Sequence, residues 1–171
     1  MASSSATSTT DIDRMDSLWS RIFETQANDL KQGDSWHLEF DEKIVPRHPN
    51  SGWKKYIGKT SARFRCTKCR RRVWNSNHVT VVFHMHLESG QGTVKVKCLG
   101  QKCIDCCDGS METPDIDSQN IKILVENLME EIRIHCYNEN LNKVERLPES
   151  LPITRRHEPS HCQACIEGTC G

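Results

Sequence analysis

The chain has 171 residues, 23 acidic and 23 basic side chains and a formal net charge of zero, so no global field draws it to nucleic acid or to an anionic membrane. Hydrophobic residues make up 36%, enough for one modest core and too lean for two large domains. No apolar run approaches the roughly 20 residues that span a bilayer, and the N-terminal MASSSATSTT lacks the apolar stretch of a secretory signal. The expected setting is therefore cytoplasmic and reducing. Ten cysteines in such a setting point to metal rather than to disulfides.

Residues 1 to 10 read as a disordered Ser/Thr/Ala tail, followed from 11 to 171 by a single domain. Met15, Trp19, Ile22, Phe23 and Leu30 recur at helical spacing, with Asp11 or Asp13 as cap and Gly33 beyond the end. Trp19 and Phe23 are expected in the core rather than at a docking stripe. From Trp36 the pattern shortens to WHLEF and IVP, read as strands, with a turn at HPNSGW.

The clearest hairpin is HVTVVFHMHLE followed by TVKVKC. Period-two alternation puts Val79, Val81, Phe83, Met85 and Leu87 on one face with Val94, Val96 and Cys98 on the return strand. The other face carries His78, Thr80, His84, His86, Glu88, Lys95 and Lys97 and is expected to meet solvent or a partner, with Gly90 and Gly92 making the turn. A second helix runs from an Asp117 or Ser118 cap to about Tyr137, with Ile121, Leu124, Val125, Leu128, Ile132 and Cys136 as its stripe. Residues 143 to 160, punctuated by Pro148, Pro152 and Pro159, form an extended segment. The fold class that follows is α+β, a small antiparallel sheet with zinc knuckles flanked by two amphipathic helices.

Three C-x-x-C pairs organise the chemistry: Cys66 with Cys69, Cys103 with Cys106, and Cys162 with Cys165. A two-residue spacer lets a tight turn aim both sulfurs at one tetrahedral ion, and two pairs complete a structural Zn(2+) site. Six thiolates fill one site and leave two over. Cys170, Cys98, His161, Cys136, Cys107, His84 and His86 are the candidates to complete a second. A thioredoxin-type dithiol needs its pair to open a helix after a buried strand, whereas basic residues and a strand follow Cys66. Metalloprotease, deaminase, phosphate-loop and serine-hydrolase signatures are all missing, so no enzyme is expected.

The runs GWKKYIGKTSARFRCTKC, VTVVFHMHL, GQKCIDC and HCQACIEGTCG resemble, in order and spacing, the 3CxxC-type zinc-finger domain of the receptor-transporting proteins. The resemblance covers about residues 15 to 170. It implies Cys66, Cys69, Cys103, Cys106, Cys162 and Cys165 as zinc ligands, with Cys170 matching a cysteine found in part of the family. It further implies a cytosolic adaptor or chaperone that helps odorant or taste receptors of the G protein-coupled class to reach the cell surface. Family members commonly carry a C-terminal membrane helix, and this chain shows none.

The family also contains an interferon-induced antiviral member with RNA binding, which gives the alternative reading. Nine Lys or Arg and no acid lie between Lys54 and Arg72. Within that run Arg63, Arg65, Lys68, Arg70, Arg71 and Arg72 interleave with Phe64 and Trp74, the mixture of phosphate contact and base stacking that single strands favour. Alternation forbids Arg63, Phe64 and Arg65 from all facing one way in a strand.

Overall fold

The computed structural model describes residues 3–30, 33–69, 72–106 and 109–170, with side chains in the first helix from Arg14 onward. The elements in chain order are α1 (Ser3–Ala27), β1 (Ser35–Phe40), β2 (Lys54–Arg65), β3 (Val73–Glu88), β4 (Gln91–Cys98), α2 (Ser118–Cys136), a 3-10 turn (Pro159–His161) and the one-turn α3 (Gln163–Ile166). The strands form one sheet in the order β1-β4-β3-β2. The expected antiparallel hairpin is present as β3 and β4, and β2, not anticipated as a strand, pairs antiparallel with the other edge of β3. To these strands the fold adds β1, which pairs parallel to β4 and makes the sheet mixed.

α1 begins upstream of the expected Asp11 and Asp13 caps. No Pro or Gly interrupts residues 3 to 27, so nothing in the backbone stops a helix propagating back from its packed end. That end carries Trp19 and Phe23, both fully buried. Trp19 meets Phe40 edge-on at 5.8 Å and Phe83 at 6.2 Å, which places the aromatic stripe in the core. α2 follows the predicted pattern, with Ile121, Leu124, Val125, Leu128 and Ile132 buried and Cys136 packed at the margin. Both helices cover the sheet face formed by Val79, Val81, Phe83, Met85, Val94 and Val96.

The β3/β4 turn differs in one position from the expectation. Glu88 pairs with Gln91 and Leu87 with Gly92, so Ser89 and Gly90, both at positive φ, make the two-residue turn. Gly92 lies inside β4, where a Cβ would fall 2.1 Å from the Trp36 indole. Its role is to admit that ring. The IVP segment is likewise no strand. Pro46 sits in a turn and Ile44 packs into a second apolar cluster.

That second cluster overturns the solvent-facing assignment of the other sheet face. Thr80 is buried, His84 is 3% exposed and Val82 is fully covered. Val82 and Leu99 pack with Cys162 and Ala164, and Ile44, Cys165 and Cys170 close the margin. The C-terminal segment has folded onto the sheet, so β3 is buried on both faces at its centre. Strand alternation alone cannot report a layer contributed from 80 residues downstream in the chain.

Candidate metal centres

The sulfurs of Cys66, Cys69, Cys103 and Cys106 lie within 4.8 Å of one another. Cys66 and Cys69 occupy the turn that leaves β2, and Cys103 and Cys106 follow the end of β4. In the β2 knuckle the Cys69 amide points at the Cys66 sulfur at 3.4 Å, and the Cys66 amide donates to the Arg72 carbonyl at 3.0 Å. Glu112 locks this knuckle from outside the cluster. Its carboxylate accepts from the Thr67 amide at 2.6 Å and from the Thr67 hydroxyl at 2.9 Å. Glu112 is itself placed by a two-way backbone bridge to Gln101, where Gly100 leaves no room for a side chain: a Cβ there would lie 2.4 Å from the Glu112 carbonyl oxygen.

A second cluster gathers His157, Cys162, Cys165 and Cys170, again within 4.8 Å. The His157 Nε2 lies 3.4 Å from the Cys165 sulfur and 3.7 Å from that of Cys170. Cys162 ends the 3-10 turn, Cys165 lies in α3, and the Thr169 and Cys170 amides both return to the Ala164 carbonyl. The knuckle docks on the first centre's support. Gln163 donates its amide to the Gly100 carbonyl, and its side-chain oxygen accepts from the Gly100 amide at 2.8 Å. Lys59 donates to the Thr169 carbonyl and to the Thr80 hydroxyl. Burial pulls the Lys59 ammonium down, while the neighbouring Cys170, Cys162 and Cys165 push it back up.

The donor chemistry fits zinc. A tetrahedron with bonds of about 2.3 Å sets its sulfurs roughly 3.8 Å apart, close to the 3.5 Å between Cys66 and Cys106. Without a cation these thiols resist ionisation. Contact with Cys66 and Cys69 and burial push Cys106 up to about 12, burial pushes Cys165 up to about 12, and burial raises Cys103 and Cys162. Crowded thiolates repel one another, and a divalent cation removes that penalty. The nine described cysteines are all free thiols.

The six cysteines of the three pairs and Cys170 thus converge on two clusters. The remaining candidates lie elsewhere. Burial raises Cys98 to about 12 and Cys136 to about 11 within the helix-covered core. His84 Nε2 donates to the Pro46 carbonyl at 3.2 Å, and His86 stacks on Trp53 at 5.0 Å. The His161 ring meets the Ser160 hydroxyl with its Nδ1 at 3.0 Å and stands outside the cluster. Cys107 falls outside the described residues. His157 was missed because it stands in the Pro- and charge-rich segment read as a linker; its position five residues before Cys162 is the signal that points to it.

A family model described as a zinc-binding domain, of the 3CxxC zinc-ribbon type, matches residues 59–168. Receptor-transporting protein 2 of Mus musculus is 33% identical over 153 residues, covering 88% of this chain and 68% of that protein. The chain belongs to the receptor-transporting protein family. Receptor-transporting protein 3 of Mus musculus is 31% identical, covering 89% of this chain and 33% of that protein. Receptor-transporting protein 1 of Homo sapiens is 32% identical over 88% of this chain and 58% of its own length. The chain therefore spans between a third and about two thirds of these relatives. No solved structure matches it.

The basic run divides in two. Arg63 and Arg65 are exposed, whereas Phe64 between them is 1% exposed and stacks on Trp74 at 5.3 Å. The Arg72 guanidinium lies 5.6 Å from the Trp74 ring and pairs with Asp105 at 2.9 Å; Asp105 also pairs with Arg155 at 3.1 Å. Lys68 is exposed, and Arg70 and Arg71 fall outside the described residues. Among the described residues no helix is long and apolar enough to cross a membrane.

Proposed function

We propose that the chain is a two-zinc, non-enzymatic adaptor of the cytoplasm that binds membrane receptors of the G protein-coupled class and promotes their delivery to the cell surface. Its first zinc is held by Cys66, Cys69, Cys103 and Cys106, and its second by His157, Cys162, Cys165 and Cys170. The observation that carries the reading is the match along 88% of the chain to a relative named for receptor transport. Four protein donors at each cluster leave no open position for a substrate or an activated water, which supports a structural metal. The bound ions would supply cross-links between loops.

Surface display of an odorant-type receptor, measured by flow cytometry in co-expressing cells, tests this function. Display should rise with the wild-type chain and fall to background with Cys66→Ser/Cys69→Ser. Equal display with and without the wild-type chain would refute receptor delivery.

RNA binding is the second reading, favoured by the exposed Arg63, Arg65 and Lys68. The burial of Phe64 and the covering of Trp74 restrict it to phosphate contacts, without base stacking. Arg63→Ala/Arg65→Ala should weaken RNA affinity and flatten its salt dependence. An unchanged binding curve would remove this reading.

A further inference from the structure

After α2 the chain runs from Asn138 to Glu158 without a helix or a strand, unusually long for a structureless connection within a compact domain. It also buries little. Val144, Leu147 and Ile153 are 66%, 82% and 51% exposed. Its backbone, however, is read by asparagines at successive points. Asn127 donates Nδ2 to the Arg146 carbonyl and accepts the Arg146 amide, both at 2.9 Å. Asn120 does the same to Glu149 at 3.0 and 2.8 Å, and Asn77 to Leu151 at 3.0 and 2.8 Å. Asn75 donates to the Pro152 carbonyl at 2.9 Å. Each of the first three side chains satisfies both backbone groups of one residue, as a neighbouring strand would.

Five residues past the last of these contacts stands His157, its ring stacked on His78 of the same β3 segment at 4.4 Å. The second cluster otherwise draws only on residues 162 to 170, and a rival imidazole, His161, adjoins Cys162 in sequence. A loose connection would leave the fourth position to His161, to water or to nothing.

We propose that Asn75 and Asn77, with Asn120 and Asn127 ordering the chain upstream, are positioning residues of the second metal centre. They hold the backbone of residues 146–152 in one register, so that His157 rather than His161 completes the Cys162, Cys165 and Cys170 set. The inference rests on the two-zinc reading above. It assigns the asparagines to the choice of ligand rather than to core stability, because the segment they hold adds no buried apolar side chain to the core and Leu147 within it is 82% exposed.

The test uses the full chain loaded with 113Cd in place of zinc, read by cadmium NMR and by the coupling of histidine nitrogen to cadmium. Wild type should give two signals, one from four sulfurs and one coupled to the His157 Nε2. In Asn75→Ala/Asn77→Ala the four-sulfur signal should stay in place, while the other loses its His157 coupling and its metal affinity falls roughly 10- to 100-fold. If the double variant does not fold, Asn75→Ala alone, which removes a single exposed hydrogen bond, should show the same change at smaller amplitude. A lowered melting temperature with the His157 coupling and affinity of wild type would overturn the positioning role and leave the two-metal reading intact. A single cadmium signal from wild type would overturn both.

Discussion

The two metal clusters differ in how far apart their donors lie along the chain. The first joins the turn after β2 to the loop after β4, with all of the β3/β4 hairpin between its halves. The second draws all four donors from residues 157 to 170. Closing a long loop constrains the unfolded chain more than closing a short one, so an ion at the first cluster would tie the sheet together and one at the second would fold a clip that docks on it. Similar donors therefore have different structural reach.

Loss of the first centre should have the largest effect. Cys103→Ser is expected to abolish the cooperative fold, because structural zinc supplies about 10–16 kcal/mol of apparent folding energy in small modules. Far-UV circular dichroism with thermal melting checks this, and a native-like melt for the variant would equate the two centres. Cys165→Ser should be milder. Hydrogen exchange ought to accelerate across residues 157 to 170 and at Val82 and Leu99, while Phe83 and Val96 beneath the helices stay protected. Uniform deprotection would show that the clip is integral to the sheet.

Glu112→Ala sharpens the contrast from the protein side. The Thr67 amide loses its carboxylate partner, a cost of about 1–3 kcal/mol for a polar group left without one. Chelator competition should then show weaker metal binding at the first centre alone.

The smallest effect concerns acid. Burial lowers the His84 pKa from 6.5, against the partial opposition of its hydrogen bond to Pro46. In the unfolded chain this imidazole takes up a proton more readily, so its contribution is fully present above pH 6.5 and is lost as pH falls towards the lowered folded value. Melts at pH 7.5 and pH 6.0 should diverge less for His84→Gln than for wild type. Equal divergence would assign the acid sensitivity elsewhere.

Much of this was legible in the order of residues. The α2 stripe, the apolar face of the hairpin and the three C-x-x-C pairs each depend on near neighbours, and each stands where periodicity or spacing puts it. β2 was harder to see, since KKYIGKTSAR mixes charge and glycine within a strand whose buried residues meet α2 and Phe83. His157 was illegible for a related reason. Prolines and charges mark its surroundings as linker, and the asparagines that hold that linker lie on α2 and β3.

By itself the sequence determined the stripes of the two helices, the hairpin and the thiol-rich knuckles, because turn chemistry, side-chain period and C-x-x-C spacing act over a few residues. Only the tertiary structure decided that the pairs divide between two clusters, that the second face of the sheet is covered, and that a histidine from an extended segment joins the second cluster. Those outcomes depend on which distant surfaces meet. Packing across the sheet sets them, and no local pattern records it.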